Sequence, residues 1–339
     1  MPITQPFLNK AVTVSFKNAT EIDTYFNLQN AHDFIGWFNA NVAKKNNWGK
    51  NLNGKIIPGG ISMATDSMAH DRFNQLWSEE AIQVIFNKNS VSLLQFLSLQ
   101  SIINNETGGS LRPISEGVGN AGHPGIAYAF DRIPKLKLSY NTLSPGNKTC
   151  FKLFNDASYN NAFQNLPLGS LLKNTTDKIW DGEAYPKNIP TSTNPAVTGY
   201  VLEADFFKFR GRGLIQTTGR AGYLKIIDFI MKYQGTNSVV NNIKTNWVKR
   251  STDPDVLATI STNAEWDNLF QNSNLLIPAK AIAVHNSSNG NYLGGIIGTN
   301  PTIATSTIKN VGRRISGSLS YANLYINRVQ QIIELLPTS

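Results

Sequence analysis

Cysteine is all but missing. Cys150 is the only one in 339 residues, so no intrachain disulfide forms and a thiolate metal site has no basis. Histidine is scarce too: His32, His70, His123 and His285 lie far apart, and none has the HxxxH or HExxH spacing that sets two imidazoles on one helix face. No metal or other cofactor is expected. A long apolar run is absent as well. The greasiest window, Val91 to Ile103, is broken by Gln95, Ser98, Gln100 and Ser101 and is too short and polar to cross a bilayer, so no membrane insertion is expected. The opening MPITQPFLNK lacks a charged stretch leading into an apolar one, and no signal peptide is expected. Acidic residues are few, 22 against 31 Lys and Arg, which leaves a net charge of +9. The basic residues are scattered, with nothing denser than the pairs Lys44-Lys45, Lys249-Arg250 and Arg313-Arg314. A nucleic-acid binder would concentrate them in a stripe, so the charge reads as a general attraction to an anionic polymer.

Apolar residues, at 41%, suffice for a real core. Thr20 to Lys45 reads as helix, with Thr20 and Asp23 in capping-box spacing and a break near Asn30. A loop rich in Asn and Gly follows to Gly60, then a helix from about Asp66 to Phe86. A third helix starts from a Ser90 cap and is apolar on nearly every side, the mark of a central helix. Helical pattern returns at GYLKIIDFIMKYQ, DPDVLATISTNAEWDNLF and YANLYINRVQQIIELL. Between Gly117 and Pro195 it fails: seven of the fifteen prolines fall there. The expected fold is mainly α. It divides into an N-terminal helical segment, 1–88, and a second region, 89–339, interrupted by an irregular insertion at 117–205. The first segment either completes the same domain or forms a separate attachment region.

The central helix ends in IINNETGGS. Gly108 and Gly109 supply the left-handed residues that stop a helix, which puts Glu106 in its last turn. There the helix dipole and the apolar surroundings both disfavour a carboxylate and raise its pKa. That suits a general acid working near neutral pH. Glu116 follows ten residues later in RPISE, and FFKFRGRGLIQTTGRAGY, Phe206 to Tyr223, is an aromatic, glycine-rich loop that runs into a helix.

Together these segments resemble glycoside hydrolase family 19, the chitinase and lysozyme family that includes many phage and bacterial endolysins. Glu106 matches the acid of its HETGG-like motif, and Glu116 the second glutamate of a PVRE-like context. Gly211, Arg212, Gly213, Gln216, Thr218, Gly219, Arg220 and Tyr223 match its YGRGxxQLTGRxNY segment. Asp253 to Ala258 and Val311 to Gly317 match more weakly. Asn105 stands where the family has histidine, Ser316 where it has asparagine, and the insertion exceeds that of the simplest members.

The resemblance implies a lysozyme-like α-helical hydrolase domain and an inverting mechanism. Glu106 would protonate the glycosidic oxygen, Glu116 would deprotonate the attacking water, and Thr218 would hold that water. Gln216 would bond an N-acetyl group, and Gly211 and Gly213 would let the backbone approach a sugar. Phe206, Phe207, Phe209 and Tyr223 would stack on sugar rings or join the core. Arg212 would contact the substrate, brace the acid's helix or form the buried ion pair that the resemblance implies, or else is a plain surface charge. Asp181, Glu183 and Glu203 are alternative bases, and IWDGEAYP, with Trp180 and Tyr185, is a candidate lid. His123 reads as a loop residue.

The expected substrate is the GlcNAc/MurNAc backbone of peptidoglycan, with chitin as the alternative. Without a signal peptide, the enzyme would reach the wall from a host cytoplasm or with a virion, as a monomer. A non-catalytic glycan-binding or virion structural protein is the alternative of another class. Asn105 and Ser316 favour it; the intact Glu106, Gln216 and Thr218 oppose it.

Overall fold

A computed structural model describes residues 13–30, 32–43, 45–50, 56, 60–116, 208–294, 296, 301–316 and 318–336. The chain forms two compact units, 1–113 together with 274–339, and 114–273. The insertion expected at 117–205 lies outside the described residues. Among the described residues the structure is mainly helical, with twelve α-helices and two short strand pairs.

In chain order, the discontinuous unit begins with β1 (Ser15–Phe16), α1 (Ala19–Asn30), α2 (Phe34–Asn41) and a short 3-10 turn (Asn46–Gly49). It continues with α3 (Ser67–Leu76), α4 (Glu79–Phe86), β2 (Val91–Ser92) and α5 (Leu93–Thr107). The contiguous unit holds β3 (Ile114–Ser115), β4 (Arg212–Gly213), α6 (Arg220–Lys232), α7 (Ser238–Val248), α8 (Pro254–Ile260) and α9 (Asn263–Asn272). The first unit is completed by α10 (Leu276–Ser288), α11 (Pro301–Ser316) and α12 (Leu319–Leu335).

In the discontinuous unit, α5 is the axis. Every residue from Leu93 to Asn104 is buried. Phe96 is ringed by Phe16, Phe26, Phe34, Phe73 and Trp77, with centroids 4.8–6.3 Å away. α12 packs on α5, α10 on α4, and α11 on α12. The last contact is close because Gly312 has no side chain: a Cβ there would come within 2.8 Å of the Tyr325 ring and 3.1 Å of the Ala322 Cα.

The expected helix starts are corrected by their caps. Asn18, not Thr20, caps α1: its Oδ1 accepts from the Glu21 amide at 3.1 Å, while Glu21 accepts from the Lys17 amide at 2.7 Å. Asp23 instead accepts from the Phe34 amide at 3.0 Å and so ties α2 to α1 across the break near Asn30. The Asp66–Phe86 helix is two, because Ser78 caps a new start. The cap of α5 is Ser92, not Ser90, in a capping box with Gln95, and Val91–Ser92 pairs antiparallel with Ser15–Phe16.

In the contiguous unit, Ile114–Ser115 pairs antiparallel with Arg212–Gly213, and α6 packs on α8. No helix among the described residues is long and apolar enough to cross a membrane.

Candidate functional site

Glu106 lies in the last turn of α5, half-buried. Gly108 ends the helix in the left-handed conformation at φ +58°, and the Gly109 amide donates to the Asn104 carbonyl at 2.8 Å. The Glu106 Oε1 accepts from the Tyr321 hydroxyl of α12 at 2.5 Å and from Asn105 Nδ2 at 3.2 Å. Asn105 Nδ2 also reaches the Tyr321 oxygen at 2.7 Å, and Asn105 Oδ1 accepts from the Arg328 guanidinium. Arg328 in turn donates to the Lys50 carbonyl at 2.6 Å and lies 5.2 Å from the Trp48 ring centroid. Burial pulls Arg328 down to about 10, which still leaves it a cation at neutral pH. Burial first, and the Glu106 charge next, push the Tyr321 hydroxyl up, so it stays protonated. Four side chains from two helices thus form one continuous network on the carboxylate.

Ser316 lies at the end of α11. Its hydroxyl donates to the Gly312 carbonyl at 3.1 Å and accepts from the Ser318 amide at 3.1 Å. It shapes the turn into α12.

In the contiguous unit, Glu116 continues the strand pair, its amide donating to the Gly211 carbonyl at 2.8 Å. A Cβ on Gly211 would come 3.0 Å from Glu116 Oε2 and 2.7 Å from Gln216 Oε1, so the glycine makes room for these two side chains. Burial raises the Glu116 carboxyl above its ordinary value, against the opposing pull of a hydrogen bond with the Gly211 backbone and of the Arg210 charge. Gln216 is exposed, Thr218 is half-buried, and Gly213 sits at φ +112°.

Three candidate substrate contacts take the buried alternative. Phe209, Tyr223 and Arg212 are all fully buried, with no surface to offer a sugar. The Tyr223 ring packs against Phe209 and Trp266, and its hydroxyl donates to the Arg210 carbonyl at 2.7 Å. Arg212 pairs with Asp267 at 2.7 Å and donates to the Lys208 carbonyl at 2.6 Å and to Asn263 Oδ1 at 2.5 Å. Arg210 bonds the same Asn263 and lies 3.4 Å from Asp267, to which the Ser115 hydroxyl also donates at 3.1 Å. The ion pair therefore braces the strand pair that carries Glu116. Arg220 of α6 likewise donates to the Asp255 carbonyl at 2.9 Å and to Thr259 at 2.8 Å, joining the GRG–TGR and DPDVLA segments.

Tyr321, Arg328, Arg210, Asn263 and Asp267 carry no signal in the sequence. Each is one polar residue in an amphipathic or aromatic stretch, and only folding shows its partner. Asp181, Glu183, Glu203, His123, Trp180, Tyr185, Phe206 and Phe207 lie outside the described residues, as does Cys150. Among the described residues no cluster of three His, Cys, Asp or Glu could hold a metal ion. No family model matches the sequence, and no curated protein or solved structure is significantly similar to it.

Proposed function

We propose that the chain hydrolyses β-1,4 glycosidic bonds of peptidoglycan by an inverting acid/base mechanism, as a phage-type endolysin or virion lysozyme. The observation that carries this is the seating of Glu106. A carboxylate at the unfavourable end of a buried helix is retained and given two donors on one oxygen, which a bland surface residue would not need. In this scheme Glu106 protonates the leaving oxygen, Glu116 takes a proton from water held by Thr218, and Gln216 bonds an N-acetyl group. The raised Glu116 carboxyl makes a stronger base once ionised. The positive charge favours an anionic wall over neutral chitin.

Purified protein should release reducing ends from peptidoglycan and not from colloidal chitin. Mass spectra of the muropeptides name the bond: new reducing MurNAc marks a muramidase, new reducing GlcNAc a glucosaminidase. Glu106→Gln should lower the rate by about 10²–10⁴-fold. Lysis unchanged in that variant removes Glu106 as the acid. Binding to peptidoglycan with no product from either polymer points to the non-catalytic alternative.

A further inference from the structure

The hydrogen bonds around Glu106 have a direction, and it is fixed from the far end. Arg328 is a cation and can only donate, so the Asn105 atom facing it is the amide oxygen. The amide nitrogen of Asn105 therefore points the other way, towards the Tyr321 oxygen at 2.7 Å and Glu106 Oε1 at 3.2 Å. An amide nitrogen only donates, so the Tyr321 oxygen accepts from it. The single Tyr321 proton is then left to donate to Oε1 at 2.5 Å. Two hydrogens already point at Oε1, and a third would crowd against them. Among the described residues no donor reaches Oε2.

We propose that Tyr321, aimed by the Arg328–Asn105 pair, is a positioning residue that holds Glu106 by Oε1 and leaves Oε2 to carry the transferable proton. This rests on the acid role given to Glu106 above. On transfer, the Oε2–H bond breaks and its electron pair stays on the carboxylate, while the glycosidic oxygen gains the proton and takes the electrons of its bond to C1 as the oxygen of the attacking water, losing a proton to Glu116, bonds C1. The new charge, shared by both oxygens, meets donors already in place at Oε1, so no group must turn during the step. The Gly312 contact seats α12, which carries Tyr321, against α11.

The test is the titration of Glu106 itself in the full chain, which needs no substrate. With ¹³C-labelled glutamate, the Glu106 carboxyl resonance is the one missing from Glu106→Gln. Tyr321→Phe keeps the buried ring and removes one donor that favours the charged form. The Glu106 midpoint should rise by about one pH unit. The alkaline limb of the lysis profile should rise with it, since that limb reports loss of the acid's proton. Asn105→Ala should move the midpoint the same way, and serves alone if Tyr321→Phe does not fold. A tyrosine that only fills space would lower stability and rate at every pH without moving the midpoint. An unmoved or lowered midpoint in a folded variant overturns the proposal while the acid role stands. Undiminished lysis by Glu106→Gln removes the acid role, and the proposal with it, whatever the titration shows.

Discussion

The two glycines that end α5 carry different constraints. At Gly108 the backbone is left-handed at φ +58°, and a Cβ would meet nothing within 4 Å. Gly108→Ala should therefore cost only the left-handed penalty, about 1 kcal/mol. Gly109 is also left-handed, at φ +81°, but a Cβ there would fall 2.0 Å from the Ser62 carbonyl oxygen. Main chain cannot swing aside as a side-chain tip does, and the Ala64 amide bonds the Gly109 carbonyl at 3.1 Å in the same contact. Gly109→Ala should cost about 3 kcal/mol or more, and urea unfolding of both variants against the parent measures the difference. A similar loss for the two would contradict the steric difference between them. In the sequence the pair is legible as a helix stop, which accounts for Gly108 alone. The reason for Gly109 is a stretch of backbone far away in the chain, and no local pattern announces it. Tyr321 is hidden in the same way: an aromatic residue in an amphipathic helix looks like core until the carboxylate beside it is known.

At the scale of elements, α9 holds the β3–β4 pair through one carboxylate. Asp267 accepts from Ser115 on β3 and pairs with Arg212 on β4 and with Arg210 just before it. Both guanidiniums are buried, so Asp267→Asn leaves two cations facing a neutral amide. The variant should lose about 3 kcal/mol of stability. Amide exchange should rise at Arg212 and Gly213 before it does in α6, which the buried Ile226, Ile227 and Ile230 also anchor. Uniform loss of protection across the unit would show that the ion pair is not local to the strands. The helices themselves are mostly legible in the sequence, because apolar spacing in segments such as YANLYINRVQQIIELL has one period and one face. Their starts are less so. Asn, Thr, Asp and Glu crowd the stretch from Asn18 to Asp23, and two pairs there, Asn18–Glu21 and Thr20–Asp23, have capping-box spacing. Which one caps is decided by where the chain arrives from, and that is set by the β1–β2 pairing.

At the scale of the whole molecule, residues 1–88 cannot be separated from the central helix. All five rings around Phe96 come from that segment. A chain begun at residue 89 would bare Phe96 and its neighbours on α5, forfeiting on the order of 10 kcal/mol of burial, as much as a whole domain's net stability. It should collect in the insoluble fraction; a soluble monomer with a native near-ultraviolet spectrum would refute this. The division of the chain into a contiguous unit and a discontinuous one also sets the order of events during synthesis. Glu106 leaves the ribosome 215 residues ahead of Tyr321. Until residues 274–339 emerge, α5 has no α12 to cover it, whereas everything in 114–273 has already been translated. An unfinished chain thus carries the carboxylate without the hydroxyl that orients it. In the function proposed here, the acid of a nascent chain meets its aiming hydroxyl only once translation has passed Tyr321.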